Sequence, residues 1–293
     1  MNNTETLSTK WHTLIFTDLD GSLLDHFNYS TEPADKLLTH LEEQDIPVIF
    51  TTSKTFDEVL VLRKQLNNRH PFIVENGAAI YLPKNYFPEP YLKEYLKEFT
   101  QSQHPDYLKV SLCEDRAYWL DVLEEKKPNY INEFSHFYEM GPMGIASATG
   151  LSKEKAILAN RREYSEPILW TGDQRKKIQF IHELRQSGAN IEEGGRFLHL
   201  IGHCNKGNAL TFLLKQFQEQ QIKPILSIAL GDGKNDVPML AAAEEAILIR
   251  SPVHPFPDIP NQIHTLKTDH YGPHGWAEGI TKILKLYSYG ELA

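Results

Sequence analysis

The sequence predicts an α/β protein: a parallel-sheet core with helices on both faces, interrupted by an inserted α+β domain. Three observations carry that expectation. Short apolar runs alternate with helical patterns from Thr13 to Val74. The rhythm breaks near Tyr81 into a long, more polar stretch of mixed character. The first grammar then returns after Asn205.

Thr13-Leu14-Ile15-Phe16-Thr17 has the near-continuous apolar character of a strand covered on both faces. From Pro33 to Gln44, Ala34, Leu37, Leu38 and Leu41 fall at i, i+3, i+4 and i+7, the stripe of an amphipathic helix. Ile46–Phe50 reads as the next strand. Thr55 and Glu58 form a capping-box signal for a helix carrying Val59, Leu62 and Leu66, and Phe72-Ile73-Val74 is expected to be a further strand of the same sheet. Strand, helix, strand, helix, strand is the order of right-handed crossovers in a Rossmann-like core.

Tyr81 to Tyr95 is crowded with Pro and Tyr, read as packing and hinge surface and not as a platform for stacked bases. Beyond it, helices are expected at Leu92–Phe99, Arg116–Leu123, Lys153–Arg162 and Asp173–Gly188. Strands are expected at Leu108–Leu112, Pro167–Trp170 and Arg196–Ile201. Asn205 then caps a helix striped by Leu210, Leu213, Leu214 and Phe217, and Ile225–Leu230 and Ala246–Ile249 are buried strands. The expected division is 1–82 and 201–293 for the core and 83–200 for the insert. A length of 293 residues accommodates two such units.

Thirty Lys+Arg against thirty-nine Asp+Glu give a net charge of −9, and no dense basic run interrupts it. Such a surface repels phosphate backbones and anionic lipid, so neither nucleic acid nor membrane is an expected partner. No apolar run approaches a bilayer span, and no signal peptide precedes the first strand. Two cysteines, Cys113 and Cys204, fit reduced thiols in a cytoplasmic protein. Oligomeric state is not legible.

Chemistry concentrates where strands end. Asp18-Leu19-Asp20-Gly21 follows the first strand, placing two carboxylates where open α/β sheets bind ligands, with Gly21 letting the backbone turn. An acidic loop that merely caps a helix is the alternative there. Gly231-Asp232-Gly233-Lys234-Asn235-Asp236 follows a second buried strand and offers hard oxygen donors suited to Mg²⁺. Thr51-Thr52-Ser53-Lys54 closes another strand with hydroxyls. Lys206 stands at a helix start, where the macrodipole disfavours a cation unless an anion sits there too. Together these ends assemble the parts of a phosphoryl-transfer site. His199 and His203 lie on a strand-to-loop segment and read as structural.

Asp18-x-Asp20-Gly-Ser-Leu-Leu, Thr52, Lys206 and Gly-Asp232-x-x-Asn-Asp236 resemble the four ordered motifs of the haloacid dehalogenase superfamily of phosphatases. Ser22 stands where the superfamily more often has Thr. Glu75-Asn76-Gly77-Ala78 resembles the branch with a large α+β cap between the second and third motifs. Thr-Ser-Lys-Thr at 52–55, Arg-Glu-Tyr-Ser-Glu-Pro at 162–167, Gly-Gly-Arg-Phe at 194–197 and Gly-Pro-His-Gly-Trp at 272–276 resemble the mannosyl-3-phosphoglycerate phosphatase family.

The resemblance implies Asp18 as nucleophile, forming an aspartyl-phosphate, and Asp20 as the acid and then the base. It implies Thr52 and Lys206 on the phosphoryl oxygens, and Mg²⁺ held by Asp18, the Asp20 carbonyl and Asp232, with Asn235 and Asp236 orienting that shell. Arg161, Arg162, Tyr164, Glu166 and Arg196 are the cap candidates for a phosphorylated sugar-glycerate substrate. The implied reaction is hydrolysis of mannosyl-3-phosphoglycerate, with glucosyl-3-phosphoglycerate or another small sugar phosphate as the alternative. Receiver domains share an acidic pocket, a hydroxyl and a lysine, but lack a second Asp two residues on. A sugar-phosphate mutase would use the same core.

Overall fold

A computed structural model describes residues 12–88, 97–194, 196–219, 224–260 and 264–289. In chain order the elements are β1 (His12–Thr17), α1 (Asp35–Glu43), β2 (Val48–Phe50), α2 (Phe56–Gln65), β3 (Phe72–Val74), β4 (Ala79–Pro83), β5 (Thr100–Gln101) and β6 (Tyr107–Ser111). Next come α3 (Arg116–Lys126), β7 (Phe134–His136), α4 (Phe137–Thr149), α5 (Lys153–Asn160), β8 (Glu166–Trp170), α6 (Gln174–Gln186), β9 (Asn190–Gly194) and β10 (Phe197–Ile201). The chain continues through α7 (Lys206–Gln218), β11 (Ile225–Gly231), α8 (Val237–Ala242), β12 (Glu245–Arg250), β13 (Thr265–Tyr271) and α9 (Gly272–Tyr289).

Five strands form a parallel sheet in the order β13-β12-β11-β1-β2. Alternation along β1 explains its apolar run. Ile15 packs on one face with Phe56, Val59, Trp276 and Ile280, from α2 and α9. Leu14 and Phe16 pack on the other with Leu210, Leu213, Met239 and Leu240, from α7 and α8. The capping box at Thr55 and Glu58 forms as the sequence predicts, and Asn205 caps α7 through the Asn208 N–H.

Phe72–Val74 departs from expectation. It touches β2 through a single parallel bridge, Thr51 to Ile73, and pairs antiparallel with β4 in a second sheet of order β3-β4-β6-β5. The cause is the turn after it: Glu75, Asn76 and Gly77 all have positive φ, at 47°, 57° and 96°, and reverse the chain. A Cβ on Gly77 would lie 2.2 Å from the Asn205 carbonyl oxygen, so that residue must be glycine for the turn to reach the start of α7. The expected 82/83 boundary runs through β4, and Phe87, Phe99 and Val110 pack with the parallel sheet's cluster.

A third sheet, β7-β8-β10-β9, is antiparallel and covers its own core of Trp119, Phe180, Leu184, Leu198 and Leu200. Its helices α3, α5 and α6 match the expected positions closely, with Asp115, Ser152 and Asp173 as side-chain caps. Residues 92–96 of the helix expected at Leu92–Phe99, and Gly195 of the Gly194–Phe197 motif, lie outside the described residues. No helix among the described residues is long and apolar enough to cross a membrane. Cys113 and Cys204 are free thiols, their Sγ atoms 3.2 Å apart, on the two chain segments that enter and leave the 116–201 region.

Candidate active site

The adjacent strands β11, β1 and β2 deliver their C-terminal ends to one place. β1 and β11 run in register to the pair Thr17 and Leu230, so Asp18 and Asp232 leave the sheet beside each other, and the Asp18 N–H donates to the Leu230 carbonyl at 2.9 Å. Gly21 has φ +79°, and a Cβ there would sit 2.8 Å from Asp232 Oδ2. The acidic loop after β1 can therefore fold over Asp232 only with glycine at this position.

Lys206, at the first position of α7, reaches into this acidic space. It is fully buried, and its Nζ donates to Asp18 Oδ1 and Asp236 Oδ1, both at 2.6 Å. The other Asp236 oxygen accepts the Asp232 and Gly233 N–H groups at 3.1 and 2.9 Å. Asp236 thus fixes the 231–236 turn and the lysine at once. The Asn235 amide donates to Asn76 Oδ1 at 3.2 Å, tying this turn to the reversing turn after β3.

The electrostatics are unbalanced. Among the described residues, Asp18, Asp232 and Asp236 form one buried group, one carboxylate oxygen of each lying within 4.8 Å of the others, with the Lys206 ammonium against Asp18 and Asp236. Burial, then the Asp236 charge, raises the Asp18 carboxyl well above its ordinary range, against the pull of Lys206. Burial and Asp236 likewise push Asp232 up to about 6, opposed by His254 and Lys206. Burial works against the Lys206 charge, but Asp18 and Asp236 overcome it and raise its pKa. Three carboxylates with one buried cation have room, electrostatically, for a further hard cation. Neither His199 nor His203 belongs to this group.

Thr52 is fully buried just past β2, its hydroxyl accepting the Lys54 N–H at 3.2 Å. Asp20 is more open, with 41% of its side chain exposed, and its Oδ2 accepts a 2.7 Å hydrogen bond from Lys54 Nζ. Its Oδ1 is buried with no hydrogen-bond partner. Sequence reasoning missed Lys54 as a site residue, because its contact with Asp20 spans 34 positions and only the fold creates it. His254, with Nε2 3.3 Å from Asp232 Oδ2, was also missed inside a proline-rich loop that carried no motif.

The cap candidates separate. Arg162 is half-buried beside the site with its side chain covered: its guanidinium donates to the Ser53 carbonyl at 2.8 Å and Ser165 Oγ at 2.9 Å. Arg161 is exposed and lies 3.4 Å from Asp57. Tyr164 and Glu166, expected to contact substrate, are both buried with partners inside the chain. The Tyr164 hydroxyl is 2.7 Å from Ser111 Oγ. Glu166 is fully buried, its carboxylate shared among Arg116, His136 and the Tyr138 N–H. Burial opposes its charge, yet His136 and Arg116 hold its pKa below the ordinary value, as expected of an internal ion-pair network. Arg196 is exposed and donates to the Ala148 carbonyl at 2.8 Å. Glu75, named in the sequence only as part of the Glu75–Ala78 motif, accepts the Glu163 and Ser165 N–H groups at 2.8 Å each, fastening residues 163–165 to the turn beside the site.

Residues 15–251 match the family model of haloacid dehalogenase-like hydrolases. The chain belongs to this family. It is similar, at 33% identity over 92% of this chain and 97% of the relative, to a glucosyl-3-phosphoglycerate/mannosyl-3-phosphoglycerate phosphatase of Methanococcoides burtonii. A protein of the same name from Persephonella marina is 34% identical over 92% of this chain and 97% of its own. In fold it resembles the sucrose-phosphatase of Synechocystis solved with sucrose and phosphate, with a TM-score of 0.59 at 13% identity, covering 94% of this chain and 98% of that one. The chain is accordingly a phosphatase, a phosphoric monoester hydrolase.

Proposed function

We propose that the chain is a Mg²⁺-dependent phosphatase that hydrolyses mannosyl-3-phosphoglycerate to mannosylglycerate and phosphate. Glucosyl-3-phosphoglycerate, which the names of both relatives give beside the mannosyl compound, or another small sugar phosphate is the second reading. The observation that carries the chemistry is the buried Asp18–Lys206–Asp236 chain beside Asp232, with Asp20 two residues past Asp18.

With Oδ1 held by Lys206, Asp18 is left Oδ2 to attack phosphorus, forming an aspartyl-phosphate as the ester bond breaks. Asp20 gives its proton to the leaving glycerate oxygen, then takes one from the water that cleaves the intermediate. Lys206 and Thr52 are proposed to hold the phosphoryl oxygens in line. Asp18, the Asp20 carbonyl and Asp232 would hold Mg²⁺, while Asn235 and Asp236 keep the turn in shape. The ion supplies positive charge that offsets repulsion between carboxylates and phosphate. The insert of 83–200, fastened through Glu75 and Arg162, acts as the cap that selects substrate and excludes water.

The metal assignment has a thermal signature. Asp232 sits at about 6, above its unfolded value, so its protonated form stabilises the cation-free fold. That contribution is present at acid pH and is lost as pH rises through about 6. Protons and Mg²⁺ compete for this oxygen, so the rise in Tm produced by millimolar Mg²⁺ is expected to grow between about pH 5 and 7. A Tm indifferent to Mg²⁺ across that range would contradict the assignment. The substrate reading is tested by kcat/KM over mannosyl- and glucosyl-3-phosphoglycerate and hexose phosphates; preference for a hexose phosphate by orders of magnitude sinks it.

A further inference from the structure

Lys54 is a cation in an unusual position. It directly precedes Thr55, the cap of α2, where the helix dipole disfavours positive charge. Its backbone is pinned on both sides, the N–H by Thr52 Oγ1 at 3.2 Å and the carbonyl by the Glu75 N–H at 3.0 Å. Its side chain is only 15% exposed and crosses to Asp20 Oδ2 at 2.7 Å. Nζ also lies 5.5 Å from the centre of the Tyr29 ring, and Lys155 of α5 approaches the same ring at 5.1 Å. An ammonium has three N–H donors, and Asp20 Oδ2 takes one of them.

Asp20 is the group that would protonate the leaving oxygen. Whatever surrounds Asp20 therefore meets the leaving group, not the phosphoryl group. In a 3-phosphoglycerate ester a carboxylate hangs two carbons from that oxygen. A carboxylate carried so close to Asp20 must lie near the cation that already touches Asp20. The arginines of the neighbouring insert are less available: Arg162 spends its guanidinium on Ser53 and Ser165.

We propose that Lys54 is the specificity-determining residue for the leaving group, sharing its ammonium between Asp20 and the carboxylate beside the phosphoester bond. The inference rests on the glycosyl-phosphoglycerate reading and assigns the recognition of its acid group. Lys155, exposed on α5, brings a second positive charge to the Tyr29 ring that Lys54 approaches, while Asp20 and Glu58 are the acidic groups acting on Lys54. A lysine with donors left beyond Asp20 favours a carboxylate-bearing leaving group over a neutral sugar of similar size.

The experiment compares two substrates that demand the same proton from Asp20. One is mannosyl-3-phosphoglycerate; the other is the corresponding mannosylglycerol phosphate, which lacks only the carboxylate. Lys54→Met is expected to lower the ratio of their kcat/KM values by about 10- to 100-fold, the range for one lost charge-assisted hydrogen bond. The carboxylate-specific part should appear in KM, since that contact exists before the transition state. Lys54→Arg should retain most of the ratio. An unchanged ratio in Lys54→Met, with both substrates slowed equally, would make Lys54 only a positioning residue for Asp20 and overturn the proposal. Wild-type enzyme that prefers the carboxylate-free ester would overturn the function reading as well, so the two failures are distinguishable.

Discussion

Asp18→Asn is expected to lower kcat by roughly 10⁴-fold or more while the protein stays folded. The substitution keeps shape and hydrogen-bonding size but removes the anionic oxygen that would attack phosphorus. The fold should tolerate it for an electrostatic reason. Burial and the neighbouring Asp236 already make the charged Asp18 unfavourable, as its raised pKa records. Lys206 keeps Asp236 as a partner at 2.6 Å. The expected change in Tm without metal is therefore small or slightly positive, and circular dichroism melting beside steady-state kinetics separates the two effects. Retention of more than a few per cent of wild-type activity would mean that another group is the nucleophile.

The second large effect is on Lys206, where activity and stability should fall together. Lys206→Met keeps much of the volume but leaves Asp18, Asp232 and Asp236 facing one another without their buried cation. Removing one partner of a buried ion pair typically costs about 3–5 kcal/mol, because the remaining charges stay desolvated. The loss should be greatest at neutral pH and smaller under acid, where protonation relieves the carboxylates; groups whose folded pKa is raised lose their stabilising contribution as pH increases. Turnover should drop by at least about 10³-fold, since the residue proposed to hold both nucleophile and phosphoryl oxygens is gone. Urea unfolding at about pH 5 and 7 checks the first part. A variant as stable as wild type at both would mean the acidic group is far less desolvated than its geometry indicates.

Much of the core was legible because its physics is local. Strands buried on both faces need continuous apolar runs, which Thr13–Thr17 and Ile225–Leu230 have. Helix starts need side-chain acceptors, and Thr55 and Asn205 supply them. What failed was non-local or contradicted propensity. Phe137–Thr149 contains Gly141, Pro142 and Gly144, all helix breakers, and the helix tolerates them only by breaking at Gly141, with φ +59°. The reversal after Val74 depends on positive φ at Glu75, a residue type with no preference for it.

The site divides in the same way. Asp18, Asp232 and Asp236 meet because the ends of two adjacent parallel strands converge, which the order of elements predicts, and Lys206 reaches them from the start of α7. Polar residues of the insert gave no such handle. Glu166 looks like a substrate contact in sequence, yet its partners Arg116 and His136 lie 50 and 30 positions away and bury it in an internal network. Lys54 and Asp20 likewise meet only through the fold, across 34 positions of sequence.

The proposed chemistry passes through a covalent intermediate on Asp18. Acid-quenching the enzyme during turnover, digesting it and weighing the peptides by mass spectrometry tests that claim directly. The expected result is one phosphoryl group on the peptide containing Asp18, lost on treatment with hydroxylamine and absent from Asp18→Asn. A phosphoryl group on any other residue, or active enzyme quenched at a saturating substrate concentration with no phosphopeptide while Asp18→Asn still turns over, would contradict it.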